Sequence, residues 1–412
     1  MSEIAEPAVI GCNMNEMEPA VVVSCSGSES GSDSAVFRVP VCILGGTGLS
    51  GRAVYQMLCR HQIFDCQCIV GSPKSFGRPY ADVWREKEER LVAAHGALGY
   101  EAMEFPRGSN PNPFVMSFAD FVSKHSPSSI EYVVSTISPA LASLEEELVG
   151  LGFRVVSISP CGREPANTFV LERRVPSRPL PLYKSPNCVV CGVAPVLAAI
   201  YERADSSWWS VDRVTVTTLQ SLTGRGDSPY ESSLCIGSTL PVGQVEETEN
   251  YIANELCGLF GMSSGPAPMG GDKGASVDVR CYRGGAVRGH LVDLRVELSG
   301  GASYTSAQVS SWFSSFDPLK EFKASCREQG FYLTGSDELP IRYEGSKWGA
   351  SQRDVLGMQV IVTNLYCSGN CIKCTVLVDN LVKGAAGAAV QIMEWVEWQD
   401  RQNWSSLKVP PP

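Results

Sequence analysis

The stretch VCILGGTGLSG (residues 41–51) decides the fold of the first half of the chain. Its apolar residues predict a buried strand, its glycines predict a tight turn, and the following RAVYQMLCRHQ predicts an amphipathic helix. A dinucleotide-binding turn requires this order, with phosphates at the N-terminus of the helix. We interpret Gly45 as allowing the turn, Gly48 as letting the backbone approach a pyrophosphate, and Gly51 as permitting close packing of helix on strand. The spacing is G-x-x-G-x-x-G rather than G-x-G-x-x-G, so a glycine turn without a ligand is the alternative.

The second part of the predicted cofactor site follows the next strand, CQCIV (66–70). An NAD site would place Asp or Glu there to bind the ribose 2′-hydroxyl, but the chain reads GSPKSFGR (71–78). Hydroxyls and a lysine suit a 2′-phosphate, which favours NADP over NAD, although a basic turn can also simply face solvent. The predicted cofactor contacts of the two turns are Thr47, Gly48, Leu49, Ser50, Ser72, Lys74 and Ser75.

The pattern along the chain predicts an α/β fold with two main parts. Strand and helix patterns alternate over residues 37–185, which predicts an N-terminal doubly wound, Rossmann-type NADP-binding domain. Long β-rich runs over residues 186–378 predict an α+β catalytic and dimerisation domain with a mixed sheet. Residues 379–412 are predicted to form a C-terminal helix that returns to the Rossmann domain. Residues 1–36, rich in Ser, Glu and Gly, are predicted to be a disordered tail.

The composition excludes several classes of protein. With 412 residues the chain is long enough for two or three domains, and its 44% hydrophobic residues support substantial cores. A net charge of −10 argues against nucleic-acid binding, because no long basic stripe is present to replace phosphate counterions. No apolar run approaches the roughly 20 residues that cross a bilayer. We therefore expect a soluble, cytoplasmic protein without a membrane partner.

The 16 cysteines, without a signal peptide, indicate reduced thiols rather than a disulfide scaffold. Two C-x-x-C pairs, Cys188 with Cys191 and Cys371 with Cys374, raise the question of a zinc site. We expect no metal, because the pairs lie far apart and the strand pattern IKCTVLV would place Cys371 and Cys374 on opposite faces. A redox pair at Cys188 fits the spacing but lacks the surroundings typical of thioredoxins.

Cys188, in KSPNCVVCG (184–192), is predicted to lie at the first turn of a helix. Backbone N–H groups and the helix dipole stabilise a thiolate at that position, although a buried structural thiol is the alternative. Of the four histidines, His290 lies between two strand-like runs and is the predicted base, whereas His61 and His95 are predicted to be solvated. A thiol nucleophile with a dinucleotide site indicates an enzyme that oxidises aldehydes or reduces acyl phosphates.

From residue 38 to 397 the sequence resembles the aspartate-semialdehyde dehydrogenase family, closer to its archaeal and fungal branch. The matching motifs, in order, are GGTGLSG (45–51), SPNC (185–188), TLQSLTGRG (218–226), RGGAVRGH (283–290) and DNLVKGAAGAAVQ (379–391). The resemblance implies NADP-dependent, reversible reduction of L-4-aspartyl phosphate to L-aspartate 4-semialdehyde and phosphate, in the biosynthesis of lysine, threonine and methionine. It also implies a small-molecule substrate with inorganic phosphate. The β-rich half suggests a homodimer or homotetramer.

The resemblance also assigns roles to particular residues. Cys188 is the expected nucleophile, His290 the proton acceptor, and Asn187 an aid to the oxyanion, while Gln220 contacts substrate near the thiol. The expected substrate contacts are Arg283 for a carboxylate, Arg163 for phosphate, and Glu246 in the substrate loop. Thr223, Gly224 and Asn380 fall at positions on the nicotinamide side of the cofactor.

Two departures from the family pattern leave the substrate open. The substrate loop GQVEETENYIANEL (243–256) lacks the lysine that contacts phosphate in the family, and RGGA has glycine where proline is usual after the arginine. A related acyl-thioester reductase, such as a malonyl-CoA reductase, would not need that lysine. A non-catalytic, NADP-binding paralogue is a third alternative, and the joint presence of Cys188, Gln220, Arg283 and His290 argues against it.

Overall fold

The computed structural model describes residues 38–406 except 97–99, 101, 107–111, 206–207, 226–239, 242–244, 265–273, 285, 321, 323–329 and 334–356. The predicted tail, residues 1–36, lies outside the described residues. From Arg38 onward the chain forms one unit that contains both sheets described below. The predicted domain boundaries stay a prediction.

The first sheet consists of parallel strands in the order β3-β2-β1-β4-β5-β6. These strands are β1 (Val39–Leu44), β2 (Phe64–Val70), β3 (Val115–Met116), β4 (Tyr132–Ser135), β5 (Arg154–Ser157) and β6 (Leu182–Lys184). The order is that of dinucleotide-binding folds, with a switch point between β1 and β4. The predicted Rossmann-type part is therefore confirmed.

Helices connect these strands and cover both faces of the sheet. They are α1 (Leu49–Leu58), α2 (Tyr80–His95), α3 (Phe118–Lys124) and α4 (Ser143–Gly150). The α1 helix begins directly after the glycine turn, and Gly48 is its N-cap residue. Short elements such as β3 and β6 escaped prediction because two or three residues are too few to show a period.

The second sheet mixes parallel and antiparallel pairs, as predicted, in the order β12-β13-β14-β11-β7-β10-β8, with β9 beside β10. Its strands are β7 (Val211–Gln220), β8 (Leu240–Pro241), β9 (Ser263–Ser264), β10 (Ser276–Arg283), β11 (His290–Leu298), β12 (Phe331–Leu333), β13 (Val360–Ser368) and β14 (Cys371–Val378). Alternation along β10 and β11 buries every second residue, as expected for a sheet with one covered face.

Three helices cover the buried face of this sheet. They are α5 (Cys188–Asp205), α6 (Val245–Phe260) and α7 (Ser306–Ser315). Leu197 of α5 and Leu256 of α6 belong to the same apolar core as Val214 and Val292 of the sheet. The core thus fixes the start of α5 against the ends of β7 and β11.

The last helix, α8 (Gly387–Ser406), returns to the first sheet as predicted. Its residues Ala389 and Met393 are buried in one core with Val41 and Tyr132. A π-helical turn, Val382–Ala386, precedes α8. No described helix is both long and apolar enough to cross a membrane.

Candidate active site

Cys188 is the first residue of α5, just beyond the carboxyl end of β6 in the first sheet. Asn187 caps this helix, because its Oδ1 accepts a hydrogen bond from the N–H of Val189 at 2.9 Å. The Cys188 thiol also faces that oxygen, at 3.7 Å. The predicted helix start is therefore observed, and the side chain of Asn187 caps it.

His290 lies beside Cys188 although the two residues are 102 positions apart in the sequence. The distance from Cys188 Sγ to His290 Nε2 is 3.0 Å. His290 is the first residue of β11 and is completely buried. On the other side of the ring, Nδ1 accepts a hydrogen bond from the backbone N–H of Ser221 at 3.0 Å. This arrangement gives a thiol and an imidazole in hydrogen-bond contact.

Burial controls the ionisation of both groups. It raises the pKa of the Cys188 thiol above its ordinary value, and the opposing effects of Arg163 and of the Val189 N–H do not overcome it. Burial, with the positive charge of Arg283, lowers the pKa of His290 to about 3. The N–H at the helix start does lower the thiol pKa, as predicted, but removal from water outweighs this contact. Both shifts favour the neutral forms of the thiol and the imidazole.

Arg163 lies close enough to lower the pKa of Cys188, but its charge is already partnered. Its Nη1 is 2.9 Å from Glu255 Oε1, and both side chains are buried. The second oxygen of Glu255 accepts the backbone N–H of Asn187 at 2.6 Å, and Arg163 Nη2 donates to the carbonyl of Ile158 at 2.9 Å. One carboxylate therefore joins the predicted phosphate-binding arginine to the residue before the nucleophile. It also occupies the Asn187 N–H, which cannot at the same time bind an oxyanion.

Arg283, the last residue of β10, is buried beside His290. Its Nη1 donates to the carbonyl of Ser221 at 2.5 Å. Gly224 lies against both groups, since a Cβ there would come within 3.1 Å of His290 Cε1 and 3.2 Å of Arg283 Nη1. A larger residue at this position would require His290 or Arg283 to shift by a few tenths of an ångström. The structure thus brings Arg283, Gly224 and His290 together.

Gln220 ends β7 and is buried. Its Nε2 lies 3.5 Å from Cys281 Sγ and 3.4 Å from Thr218 Oγ1. Cys281 is one of the groups whose pKa responds to Cys188, so the glutamine is in the neighbourhood of the nucleophile. Its contact with a substrate stays a prediction.

Thr223 and Asn380, predicted near the nicotinamide, are buried in a polar network behind His290. Asn380 Oδ1 accepts from the Gly289 N–H at 2.9 Å and from Ser221 Oγ at 3.1 Å. Asn380 Nδ2 donates to Thr223 Oγ1 at 3.2 Å, and that hydroxyl donates to the carbonyl of Val287 at 2.6 Å. These side chains support the histidine segment in this structure.

The π-helical turn packs directly on the nucleophile. A Cβ on Gly384 would lie 2.6 Å from Cys188 Cβ and 3.1 Å from Cys188 Cα. π-Helical turns are rare and often occur at functional sites. The motif DNLVKGAAGAAVQ therefore contributes both Asn380 behind His290 and Gly384 beside Cys188.

The glycine turn has the geometry that the sequence indicates. Gly45 adopts a φ of 80°, and a Cβ on Gly51 would lie 2.6 Å from Gly46 Cα. Thr47 is buried, and its carbonyl accepts from Arg52 Nη1 at 2.8 Å, while Leu49 and Ser50 begin α1. Gly48, the N-cap residue, makes no side-chain cap to this helix, which suits an anion at its N-terminus.

The second predicted cofactor turn is a 3₁₀ turn, Pro73–Ser75, after β2. Ser72 and Lys74 are exposed there, which suits contact with a soluble ligand. Ser75 is buried, so it is the weakest of the three predicted contacts.

Other predicted residues have different outcomes. Glu246 lies in the first turn of α6, and its side chain is outside the described part of the structure. The prediction that His61 and His95 are solvated is wrong, because both are buried and His61 Nε2 lies 2.8 Å from Glu394 Oε1. Within the described residues, no group of three or more His, Cys, Asp or Glu could hold a metal ion.

Glu255, Ser221 and Gly384 were missed by sequence reasoning. Glu255 is one of several acidic residues on α6, and only the fold shows that it reaches Arg163 and Asn187. Ser221 contacts His290 through its backbone N–H, which nearly every residue type has, so the residue type gives no signal of this contact. Gly384 lies in the motif DNLVKGAAGAAVQ, but the sequence does not show that it packs against Cys188.

The site thus has a thiol in hydrogen-bond contact with an imidazole, at the carboxyl edge of a Rossmann-type sheet. No protein-family model matches the chain. Among curated proteins, the aspartate-semialdehyde dehydrogenase of Methanothermobacter thermautotrophicus is 24% identical over 85% of this chain and 97% of its own length. The malonyl CoA reductase (NADP) of Metallosphaera sedula is 23% identical over 85% of this chain and 95% of its own length.

Solved structures show the same fold. The aspartate semialdehyde dehydrogenase II of Vibrio cholerae, complexed with ASA, matches with a TM-score of 0.63 and 19% identity, covering 88% of this chain and 99% of that one. The Candida albicans enzyme with NADP matches with a TM-score of 0.62 and 18% identity, over 88% and 99%. The predicted resemblance to the aspartate-semialdehyde dehydrogenase family is therefore confirmed, and the archaeal and fungal relatives agree with the predicted branch.

Proposed function

We propose that this protein is an NADP-dependent enzyme that reversibly reduces L-4-aspartyl phosphate to L-aspartate 4-semialdehyde and phosphate through a thioester on Cys188. The reaction would serve the biosynthesis of lysine, threonine and methionine. The observation that carries the proposal is the 3.0 Å contact between Cys188 Sγ and His290 Nε2 at the start of α5. The relatives with this named activity support the same reading.

In the oxidative direction, the Cys188 sulfur attacks the aldehyde carbon. His290, in hydrogen-bond contact with that sulfur, takes up and returns the proton of the reacting groups. Arg283, buried beside His290, supplies the positive charge that a substrate carboxylate requires. Phosphate then cleaves the thioester and regenerates the thiol.

Bound NADP would supply the acceptor for the hydride in this direction. The chain offers a fitting site for it, because three of the four residues in the turn before α1 are glycines, Gly45, Gly46 and Gly48. Ser72 and Lys74 are exposed at the end of β2, where the ribose 2′-phosphate of such a cofactor would require hydroxyls and a cation.

A second candidate is reduction of an acyl-CoA such as malonyl-CoA. It is favoured by the pairing of Arg163 with Glu255, which neutralises the cation predicted to bind phosphate. The loop of residues 243–256 also contains no lysine to replace it. A relative named malonyl CoA reductase (NADP) matches over 85% of the chain. If the thiol of CoA, rather than phosphate, accepts the acyl group in the reverse direction, the site does not need the free cation that a phosphate dianion requires.

The two candidates are separated by NADPH oxidation with aspartyl phosphate and with malonyl-CoA as alternative acyl donors. We expect turnover with aspartyl phosphate and none in the Cys188→Ala variant, which should still bind NADPH. Arg163→Ala should then weaken the phosphate-dependent reaction about 10-fold or more, because a charge-assisted contact is worth about 1.5–3 kcal/mol. Turnover with malonyl-CoA and none with aspartyl phosphate would overturn the first candidate.

We also propose that two copies pair through the open face of the mixed sheet. Tyr282, Leu219 and Leu291 are register neighbours on β10, β7 and β11, and each is 37% exposed. Their row continues to Leu377 on β14 and Ile361 on β13, which are already buried within the chain. Such an apolar row suits a sheet-on-sheet contact. Sedimentation should show a dimer or tetramer, and Leu291→Lys should weaken it, whereas a monomer at micromolar concentration would contradict the proposal.

A further inference from the structure

The segment that presents His290, RGGAVRGH (283–290), has a backbone with high conformational freedom, because three of its eight residues are glycines. Gly289 adopts a φ of 86° directly before His290. The pairing of β11 with β14 begins only at His290, opposite Val378. The position of the imidazole therefore depends on the contacts that hold the residues just before it.

Two side chains that follow the end of β14 hold these residues. Asp379 comes directly after Val378, the last residue of β14, and contacts Arg288. Arg288 Nη2 lies 2.8 Å from Asp379 Oδ2, and Arg288 Nε donates to Asp379 Oδ1 at 3.2 Å. The next side chain, that of Asn380, accepts the N–H of Gly289 at 2.9 Å. The contacts between the two segments thus continue past the end of the strand pairing.

The same carboxylate organises the π-helical turn that packs on Cys188. Asp379 Oδ1 accepts the backbone N–H groups of Leu381 at 2.9 Å and of Val382 at 3.0 Å. The carbonyl of Asp379 accepts the N–H of Gly384 at 2.8 Å, and Gly384 is the residue that packs against Cys188. A continuous set of contacts therefore runs from the histidine segment, through Asp379, to the turn beside the thiol.

The contact between Arg288 and Asp379 has a defined geometry. The side chain of Asp379 is 1% exposed and that of Arg288 is 30% exposed, so the carboxylate is removed from water and the arginine reaches it from nearer the surface. A buried carboxylate needs a partner, since leaving its charge uncompensated is costly. An arginine that meets a carboxylate through two nitrogens fixes orientation as well as charge. The ion pair therefore holds the two segments at one distance.

We propose that Arg288 and Asp379 are positioning residues whose ion pair joins the histidine segment to the π-helical turn. The joined segments fix the contact between His290 Nε2 and Cys188 Sγ, which is 3.0 Å long. Arg288 acts through the backbone two positions before His290. Asp379 acts through Gly384, which it holds against the thiol residue. The inference deepens the proposed function, and rests on it in treating the thiol and the imidazole as the reacting pair.

The contact is tested by the rate at which iodoacetamide alkylates Cys188 in the full chain at pH 8, followed on the peptide that contains this cysteine. Arg288→Met removes both the charge and the donors. Arg288→Gln is equally neutral, but its Nε2 lies at the same position along the side chain as the arginine Nε, which donates to Asp379. We expect the Met variant to react about 5-fold or more slowly than the parent, because the imidazole is displaced from the thiol, and the Gln variant to stay within about 3-fold of the parent. Equal losses in the two variants would show that the charge of Arg288 acts, and not its contact, and would contradict the proposal.

Asp379→Asn separates positioning from an effect of charge in a second way. Loss of a nearby negative charge lowers the pKa of a thiol and speeds its alkylation, whereas displacement of the imidazole slows it. We expect Asp379→Asn to slow alkylation about as much as Arg288→Met, because both break the same contact. Alkylation as fast as in the parent, or faster, in a variant that keeps its thermal transition would overturn the proposal. Arg288 is partly exposed, so its two variants decide the question even where Asp379→Asn does not fold.

Steady-state kinetics of NADPH oxidation separate this inference from the proposed function. Arg288→Met should lower kcat about 10-fold or more while the KM for NADPH stays within about 2-fold, because the ion pair positions the reacting groups and not the cofactor. Arg85→Met, which breaks an exposed ion pair with Asp82 on α2, is the matched control and should equal the parent in both assays. A parent without turnover on either acyl donor would count against the proposed function, whereas the alkylation rates would still decide on the ion pair. An unchanged kcat in Arg288→Met, with a raised KM for NADPH, would show that Arg288 serves the cofactor and would contradict the positioning role.

Discussion

Replacement of Gly384 by alanine should disable the site by displacing the nucleophile. The added Cβ would lie 2.6 Å from Cys188 Cβ, 3.1 Å from Cys188 Cα and 3.3 Å from the carbonyl of Asp379. Carbon atoms pack at about 3.5–4.0 Å, so the π-helical turn and the start of α5 must separate by about 1 Å. Two of these three neighbours are backbone atoms and the third, Cys188 Cβ, is bonded directly to the backbone, so none of them can rotate away.

The magnitude follows from this separation. Overpacking of a tight contact typically destabilises a protein by about 1–3 kcal/mol. A misplacement of about 1 Å can reduce the rate of a positioned reaction by about 10²-fold. We therefore expect Gly384→Ala to unfold at lower urea concentration and to lose about 10²-fold in kcat/KM. The assays are urea unfolding and NADPH oxidation.

A matched control is Gly150→Ala, since Gly150 ends α4 and a Cβ there would meet nothing within 4 Å. This variant should keep full activity and be as stable as the parent or more so by up to about 1 kcal/mol. If Gly384→Ala were as active and as stable as the control, the close packing of the π-helical turn on Cys188 would be refuted.

The remaining predictions concern the cofactor turns and the thiol. Lys74→Asp should weaken NADPH binding more than NADH binding, because a carboxylate repels a 2′-phosphate; equal losses in a fluorescence titration would show that Lys74 does not touch the ribose. Gly51→Ala should reduce NADPH affinity while Cys188 stays alkylatable, since its Cβ would lie 2.6 Å from Gly46 Cα in the turn; unchanged affinity would remove the turn from the site. The rate of Cys188 alkylation, followed on its own peptide, should keep rising above the ordinary thiol pKa of about 8.5, because burial raises the pKa and thiolate forms only at higher pH. In the Arg163→Ala variant, alkylation of Cys188 at pH 8 should be slower, because loss of the positive charge raises the pKa of the thiol further. An alkylation rate that reaches its plateau below pH 7 would contradict both expectations.

Much of the fold could be predicted because its signals are local. The run VCILGGTGLSG shows a strand, a turn and a helix within eleven residues, and β10 and β11 alternate cleanly between buried and exposed positions. The burial of His61 and His95 could not be predicted, because both depend on distant packing. His61 bonds to Glu394, 333 positions away, on a helix that returns to the first sheet.

The identity of the candidate site residues could be predicted from motifs, but their states could not. Cys188 and His290 were paired by elimination among four histidines, and the structure places them 3.0 Å apart. The helix start suggested a low thiol pKa, yet burial raises it, and burial is a property of the whole fold. Likewise, nothing in the spacing of α6 indicates that Glu255 meets Arg163.

The most direct measurement is the mass of the peptide that contains Cys188 after the protein is mixed with an acyl donor and quenched in acid. Aspartyl phosphate and malonyl-CoA serve as the two donors, with the Cys188→Ala variant as the control. A thioester on Cys188 from aspartyl phosphate, absent from the control, is the predicted result. An adduct on Cys191, or no adduct with either donor while NADPH still binds, would contradict the assignment of Cys188 as the nucleophile.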